Sequence, residues 1–331
     1  MSDLSKSIVL SGMRPTGSLH LGNYFGALAN WIKLQEEHEC YFFVADWHAL
    51  TTGYEDTSDI KENRYEMIAD WLGAGLDPEK CVIFAQSDIK EHAELHLLLS
   101  MCTPLSWLER CPTYKDQLQN LKNKNITTYG FLGYPCLMAT DILMYRATAV
   151  PVGEDQLPHL ELTREIARRF NSLFGEVFPE PEALMTKSKV LVGLDGRKMS
   201  KSYNNTIALS DSPDVLAQKT KQMITDASRI RKDDPGHPDI CSVFTMQKVF
   251  NEDEIQQIES DCKGGCIGCV QCKKRLNEKM TEALQPIYEK RTKILENRSY
   301  IDEIIHEGNK KARAKAAETM QIVREAMKID F

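Results

Sequence analysis

Apolar residues in the first half of the chain fall into short dense runs separated by longer stretches of mixed character. KSIVLSG (6–12), CYFFVAD (40–46), CVIFAQ (81–86) and AVPVG (149–153) are compact and rich in β-formers, the pattern of strands buried on both faces. Between them, Leu21–Leu34, Arg64–Leu72, Glu91–Ser100, Pro104–Leu121 and Asp155–Phe170 repeat apolar positions at helical spacing, and GYPCLMATDIL begins a further helix. Strands alternating with helices predict an α/β fold, a doubly wound, Rossmann-like parallel sheet covered by helices on both faces. Ligands in such folds bind beyond the carboxyl ends of the strands.

After about residue 205 the dense runs cease. Asp211–Met223, Glu252–Ser260, Lys273–Lys293 and Lys310–Met327 are helical in pattern, with a turn-rich connector at 229–241 and a Gly/Cys loop at 262–272. The boundary divides the chain into 1–205, a sheet-based domain, and 206–331, an all-helical C-terminal domain whose last helix can pack back on the first.

At 331 residues, 42% hydrophobic and 27% charged, the chain is long enough and apolar enough to bury a sizeable core. SDLSKS at the start is not followed by the apolar core of a signal peptide, and no run approaches the roughly 18 residues of a membrane span. The expectation is a cytoplasmic protein with reduced thiols. A net charge of −7 does not suggest a nucleic-acid binder, but the average hides an asymmetry. Residues 271–331 hold 14 Lys and Arg against 10 Asp and Glu, a surplus of four, so the first 270 carry −11. Such a basic helical part can meet phosphates, although a solvated helix face is the simpler reading on charge alone.

Neither GxGxxG nor GxxxxGK[ST] is present. The first strand runs instead into SGMRPTGSLHLGNYFGAL, a loop entering a helix near His20. A helix N-terminus offers unpaired N–H groups and a positive dipole end to phosphate. His20 and Asn23 share a face there, and Gly22 and Gly26 let a flat ring or another backbone approach. Farther on, VGLDGRKMSKSYNNT (192–206) leaves an apolar strand end, turns at Asp195-Gly196 and presents Arg197, Lys198 and Lys201 with two serines. A glycine-hinged loop of that kind can close on a polyphosphate. Alone, either stretch has a plainer reading: helix packing for the first, an exposed basic turn for the second.

Together, HLGN after the first strand and KMSKS after a late one resemble the paired signatures of class I aminoacyl-tRNA synthetases. Asn23 stands where many members have His, as in the tryptophanyl branch. GNYFGAL, LMATDILMY and VPVGEDQLPHLELTREIARRFN are similar to tryptophanyl-tRNA synthetase, and the likeness extends to HEGNKKARAKAAETMQIVREAM. Tyrosyl enzymes share the architecture but lack the combination of GNYxGA, MAxDIL and GEDQ.

The resemblance implies activation of L-tryptophan by ATP, with Mg²⁺ bound through the nucleotide, and transfer to tRNA(Trp) by a homodimer whose helical half reads the anticodon. It implies catalytic roles for His20, Asn23, Lys198 and Lys201. Around ATP it places Arg14, Pro15, Thr16, Gly22, Gly153, Glu154, Asp155, Val190, Met199, Ser200 and Ser202. Asp141 would accept from the indole N–H, with Met138, Val150 and Val152 against the ring, Tyr134 and Gln156 at the ammonium group and His48 lining the pocket. A reading from another class is a non-catalytic paralogue that binds tryptophan or RNA and senses redox state through its cysteines; it would be expected to have lost HLGN or KMSKS, and both are intact.

Four of the ten cysteines crowd into CKGGCIGCVQC (262–272). In a reducing compartment such a cluster suits metal better than disulfides. Four thiolates fit Zn²⁺ or a [4Fe–4S] cluster, and Cys266, Cys269 and Cys272 resemble the start of a ferredoxin run. Some bacterial tryptophanyl enzymes carry a [4Fe–4S] site spelled by a distant Cys and then C-x₆-C-x₂-C. That likeness implies Cys241, Cys262, Cys269 and Cys272 as ligands of a [4Fe–4S] cluster rather than Zn²⁺, with Cys266 as the odd thiol.

Overall fold

The structure is a computed structural model that describes residues 7–120, 126–185 and 191–330. Its centre is a five-stranded parallel sheet of β1 (Ile8–Met13), β2 (Glu39–Val44), β3 (Cys81–Ala85), β4 (Ala149–Val152) and β5 (Glu182–Met185), in the order β3-β2-β1-β4-β5. This is the doubly wound arrangement expected from the sequence, and its order reverses between β1 and β4. The half-polar EALM of β5 has no dense apolar run and lacked a sequence signal.

Helices α1 (Leu21–Asn23) and α2 (Ala29–Leu34) follow β1, joined by a π-helical turn over Tyr24–Leu28. Then come α3 (Asp46–Gly53), α4 (Ile60–Ala74), α5 (Glu91–Cys102), α6 (Leu105–Glu109), α7 (Pro112–Asn120), α8 (Tyr129–Leu132), α9 (Tyr134–Met144) and α10 (Leu157–Phe174). Beyond the sheet lie α11 (Pro213–Gln222), α12 (Ser242–Phe250), α13 (Ile255–Lys263), α14 (Cys269–Glu296) and α15 (Arg298–Met327). The single helix expected over Pro104–Leu121 is two. Pro112 disfavours helical backbone at Cys111 and starts α7 afresh. Asp46, expected to end the second strand, instead opens α3. The strand expected before VGLDG falls partly on 186–190, outside the described residues; past that stretch the described residues make two isolated bridges, Val192 to Lys198 and Ala208 to His20.

Side chains alternate across the sheet, so each strand feeds two cores. Val9, Cys40, Phe42, Val44 and Ile83 join one core with Trp31, Trp71 and the α14 residues Leu276, Met280 and Leu284. Leu10, Tyr41, Phe43, Phe84, Val150 and Val152 join the other with Leu143, Phe170 and the α15 residues Ala312, Ala316 and Met320. The C-terminal helices are therefore built into both layers that cover the sheet.

At the β3 edge α15 does more than cover. A methyl group at Gly308 would lie 1.8 Å from the Ile83 carbonyl, so only glycine permits this approach. At the next position, Asn309 Oδ1 accepts from the Ala85 N–H at 3.0 Å. An edge strand's exposed backbone is an aggregation hazard unless covered, and α15 lies directly over it.

Candidate active site

A cavity of about 390 Å³ opens at the carboxyl ends of the strands, beside the β1/β4 reversal. His48, Tyr134, Met138, Asp141, Val150, Val152 and Gln156 all line it. Arg14 and Gly153 reach it from the ends of β1 and β4, and Gly26 and Ala27 from the π turn. The extra residue of a π turn is a recurrent device at functional sites.

Asp141 is almost wholly buried (1% exposed), so it is not a charge on a helix surface. Its carboxylate meets His48 Nε2 at 2.8 Å, His92 Nδ1 at 2.6 Å and the Gln86 amide at 2.8 and 3.0 Å. His92, fully buried, passes its other nitrogen to the Tyr145 hydroxyl at 2.8 Å. These four contacts, two on each oxygen, fill the roughly four lone-pair sites of a carboxylate, so a further donor would take the place of one of them. Burial pushes the Asp141 pKa up, but hydrogen bonds from His48 and His92 and their charge outweigh it and hold the group at about 2. Gln86, His92 and Tyr145 were not foreseen. Gln86 ends a strand run on the side where ligands bind, which was the one available signal; His92 and Tyr145 had none.

A second polar group stands on the pocket wall. His159 Nε2 lies 2.9 Å from Thr113 Oγ1 and 3.3 Å from the Tyr134 hydroxyl, and its Nδ1 is 3.5 Å from Cys111 Sγ. Burial and the neighbouring His48 push the His159 pKa down. Gln156, expected at an ammonium group, here donates to Asp155 at 2.8 Å.

The two signature loops lie together. His20 caps α1 by accepting from Asn23 N at 3.3 Å, while Asn23 Oδ1 accepts from His20 N at 3.2 Å. Gly22 is needed because a methyl group there would lie 2.8 Å from the His20 ring. The start of α1 is stitched to the chain beyond KMSKS: Leu21 N donates to Ile207 O at 2.9 Å and Leu209 N to Leu19 O at 2.8 Å. Lys201 Nζ crosses to the Thr16 carbonyl at 2.6 Å, beside buried Pro15. Burial and this nearby cation push the His20 pKa down.

Within KMSKS, Lys198 is exposed and Ser200 Oγ accepts from Ser202 N at 3.3 Å. Met199, expected at ATP, sits in the core with 4% exposure, so only its backbone faces the loop's outer side. The loop is shaped by Asn205, which was not foreseen. Its side chain donates to Asp195 at 2.7 Å and to the Lys198 carbonyl at 3.2 Å, and accepts from Ser200 N at 2.8 Å. Glu154 and Asp155 are exposed beside Gly153. Val190 lies outside the described residues.

The four cysteines gather away from this cavity. Cys262 and Cys272 have pKa values raised first by burial and further by the thiols of Cys241 and Cys269. Arg229 Nη1 approaches Cys269 Sγ at 3.9 Å, and Gln247 Nε2 approaches Cys272 Sγ at 3.5 Å. Cys266 is exposed. Among the described residues, no three His, Cys, Asp or Glu side chains stand in an arrangement that holds a metal ion.

A parallel sheet with a ligand cavity at its switch point, flanked by HLGN and KMSKS, is the construction of a class I synthetase. The family model for class I tRNA synthetases of the W and Y group matches residues 2–285. The chain is 54% identical over 326 residues to a tryptophan–tRNA ligase of Thermotoga maritima, covering 98% of this chain and 99% of that one. It is 46% identical to the Aquifex aeolicus tryptophan–tRNA ligase, with 97% and 99% covered. A crystal structure of Campylobacter jejuni tryptophanyl-tRNA synthetase, complexed with ADP and tryptophan, superposes with a TM-score of 0.88 at 38% identity, covering 97% of this chain and 99% of that one. The chain belongs to the tryptophanyl-tRNA synthetases, and its activity is that of a tryptophan–tRNA ligase.

The Asp141 network has a pH signature. A carboxyl held at about 2, below its ordinary 3.8, contributes stability that is complete above pH 4 and lost as pH falls through 2. Asp141→Asn should flatten the dependence of unfolding free energy on pH between about 4 and 2. Urea unfolding followed by circular dichroism reads this, and an unchanged slope would remove Asp141 from the acid limb.

Proposed function

We propose that the cavity takes the indole of tryptophan against Met138, Val150 and Val152, with Asp141 accepting its N–H. The carrying observation is a buried, ionised carboxylate in a cavity beside two joined cation- and helix-bearing loops. An indole nitrogen can only donate, and a side chain that displaced one of Asp141's partners without supplying that donor would leave the carboxylate short, the condition for strong discrimination. His48 orients Asp141, while Tyr134 and Gln156 meet the substrate ammonium.

ATP would then lie across the α1 N-terminus with Mg²⁺ on its phosphates. His20 and Asn23 steady the phosphates, with Arg14, Pro15, Thr16, Gly22 and the Gly153–Asp155 turn around the nucleotide. Ser200, Ser202 and the Met199 backbone line the other side. A tryptophan carboxylate oxygen attacks the α-phosphorus; the new O–P bond forms as the bond to pyrophosphate breaks. The nucleophile is the substrate's own, so the enzyme supplies position and charge. Lys198 and Lys201 offset the charge gathering on pyrophosphate, and Lys201 must leave the Thr16 carbonyl to do so. Transfer to the 3′ end of tRNA(Trp) comes next, with residues 1–205 as the catalytic part and the basic helical part 206–331 meeting the RNA.

Tryptophan should support ATP–pyrophosphate exchange and tyrosine should not. Replacing Lys198 and Lys201 together by alanine should lower the exchange by at least about 100-fold, the scale for loss of a charge-stabilising donor. Exchange that survives the double substitution would overturn these roles.

We further infer that Cys241, Cys262, Cys269 and Cys272 hold a [4Fe–4S] cluster. The support is in the charge: the Arg229 guanidinium approaches the Cys269 thiol at 3.9 Å and its Nε is buried without a partner, a setting that suits an anionic group. When bound, the cluster would tie the connector at 229–241 to the start of α14. Protein purified without oxygen should absorb broadly near the visible range and contain iron; zinc in its place would refute the assignment.

We also take the protein to be a cytoplasmic homodimer. Among the described residues no helix is long and apolar enough to cross a membrane. Leu97 and Met101, one turn apart on α5, and Leu105 on α6 are each more than half exposed, an apolar strip suited to a second copy. Sedimentation equilibrium should give twice the chain mass, and Met101→Glu should shift it toward one.

A further inference from the structure

Asp70 on α4 is fully buried, yet nothing in the proposed chemistry uses it. Its Oδ2 accepts from the Leu19 N–H at 2.6 Å and from the Ser18 hydroxyl at 3.2 Å. Leu19 immediately precedes His20, so this carboxylate fixes the backbone where α1 begins. Ser18 also bonds Ser210 at 2.8 Å, on the segment that stitches α1 to the chain beyond KMSKS. The other oxygen, Oδ1, accepts from Arg291 Nε at 2.5 Å.

Arg291 comes from α14 and is itself buried, with a second nitrogen on Glu66, one turn from Asp70. The approach is tight by construction. A methyl group at Gly73 would lie 2.9 Å from Arg291 Cβ and 3.1 Å from the Ile287 carbonyl, so the two helices are locked at this level. Burial alone pushes the Asp70 carboxyl up, and Arg291 is the largest influence opposing it. Without the guanidinium, the buried carboxylate would take up a proton or draw apart from the loop. Lys201 is within the field of the same carboxylate.

We propose that Asp70 and Arg291 are positioning residues for ATP, setting the Leu19–His20 turn at the height the phosphates require. Because Arg291 rides on α14, the same pair ties the phosphate loop to the helix that starts at Cys269, about 33 Å away at 1.5 Å per residue. The inference rests on the reading that His20 and Asn23 meet ATP phosphates, and deepens it.

The test measures ATP–pyrophosphate exchange with Arg291→Met and Arg291→Lys, together with tryptophan binding in the absence of ATP by calorimetry. A misplacement of about 1 Å costs on the order of 100-fold. Arg291→Met should therefore lose about that factor in kcat/KM for ATP while binding tryptophan within about twofold of the parent, and Arg291→Lys should recover part of the loss. A purely structural role would lower tryptophan binding and ATP use together, in step with the folded fraction, and that result overturns the proposal. ATP parameters unchanged in folded Arg291→Met overturn it as well. Should Arg291→Met fail to fold, Ser18→Ala removes one hydroxyl from the same turn and should raise KM for ATP severalfold; no change refutes the proposal. His20→Ala separates the two ideas: if it abolishes exchange and Arg291→Met leaves ATP use intact, only the positioning role falls.

Discussion

The arrangement of this molecule depends on the need of a parallel sheet to bury both faces. Each strand contributes alternate side chains to opposite layers, so Val9 and Leu10, or Phe42 and Phe43, enter different cores. Parallel pairing also brings the carboxyl ends of the strands to one rim. Arg14, His48, Gln86 and Gly153 follow four different strands, yet they meet because of that common direction. The order reversal between β1 and β4 leaves the crevice that becomes the cavity.

Two buried carboxylates then divide the labour of holding this rim. Asp141 is surrounded by donors from β2's sequel, β3's sequel and α5, and lines the cavity. Asp70 is held by the loop after β1 and by α14, and lies behind the HLGN turn. In both cases a charge that would be costly to bury is satisfied by residues from separate segments, so geometry and neutralisation are the same set of contacts. Removing one partner in either case leaves an uncompensated charge, which makes both networks more demanding than their size suggests.

The sheet, most of its helices and the motifs flanking the cavity were legible in the sequence because strand runs and helical periods are local. So was the likeness that named the pocket residues, since HLGN, GEDQ and KMSKS are contiguous words. The supporting residues were not. Asp70 and Arg291 stand 221 positions apart and read singly as helix-surface charges. Asn205 reads as an ordinary loop residue in SYNNT, yet it joins Asp195, Lys198 and Ser200 from inside the loop. His92 sits in EHAELHLL with nothing local to distinguish it from His96. Met199 belongs to KMSKS, yet its apolar side chain lies in the core, so any contact it makes with a ligand is through its backbone. Periodicity reports which face of an element is apolar; it does not report which distant polar group needs a partner.

The seal on the β3 edge has a consequence for how the chain comes off the ribosome. Ile83 and Ala85 are covered by Gly308 and Asn309, some 225 positions later. At a synthesis rate of about 5–20 residues per second, the CVIFA edge emerges roughly 10–45 seconds before the helix that closes it. During that interval its backbone groups are open to any other extended chain, including the same segment of a neighbouring nascent chain. The thirty residues of α15 thus act as a stopper for the third strand, and a polysome carrying many copies is where its late arrival matters most.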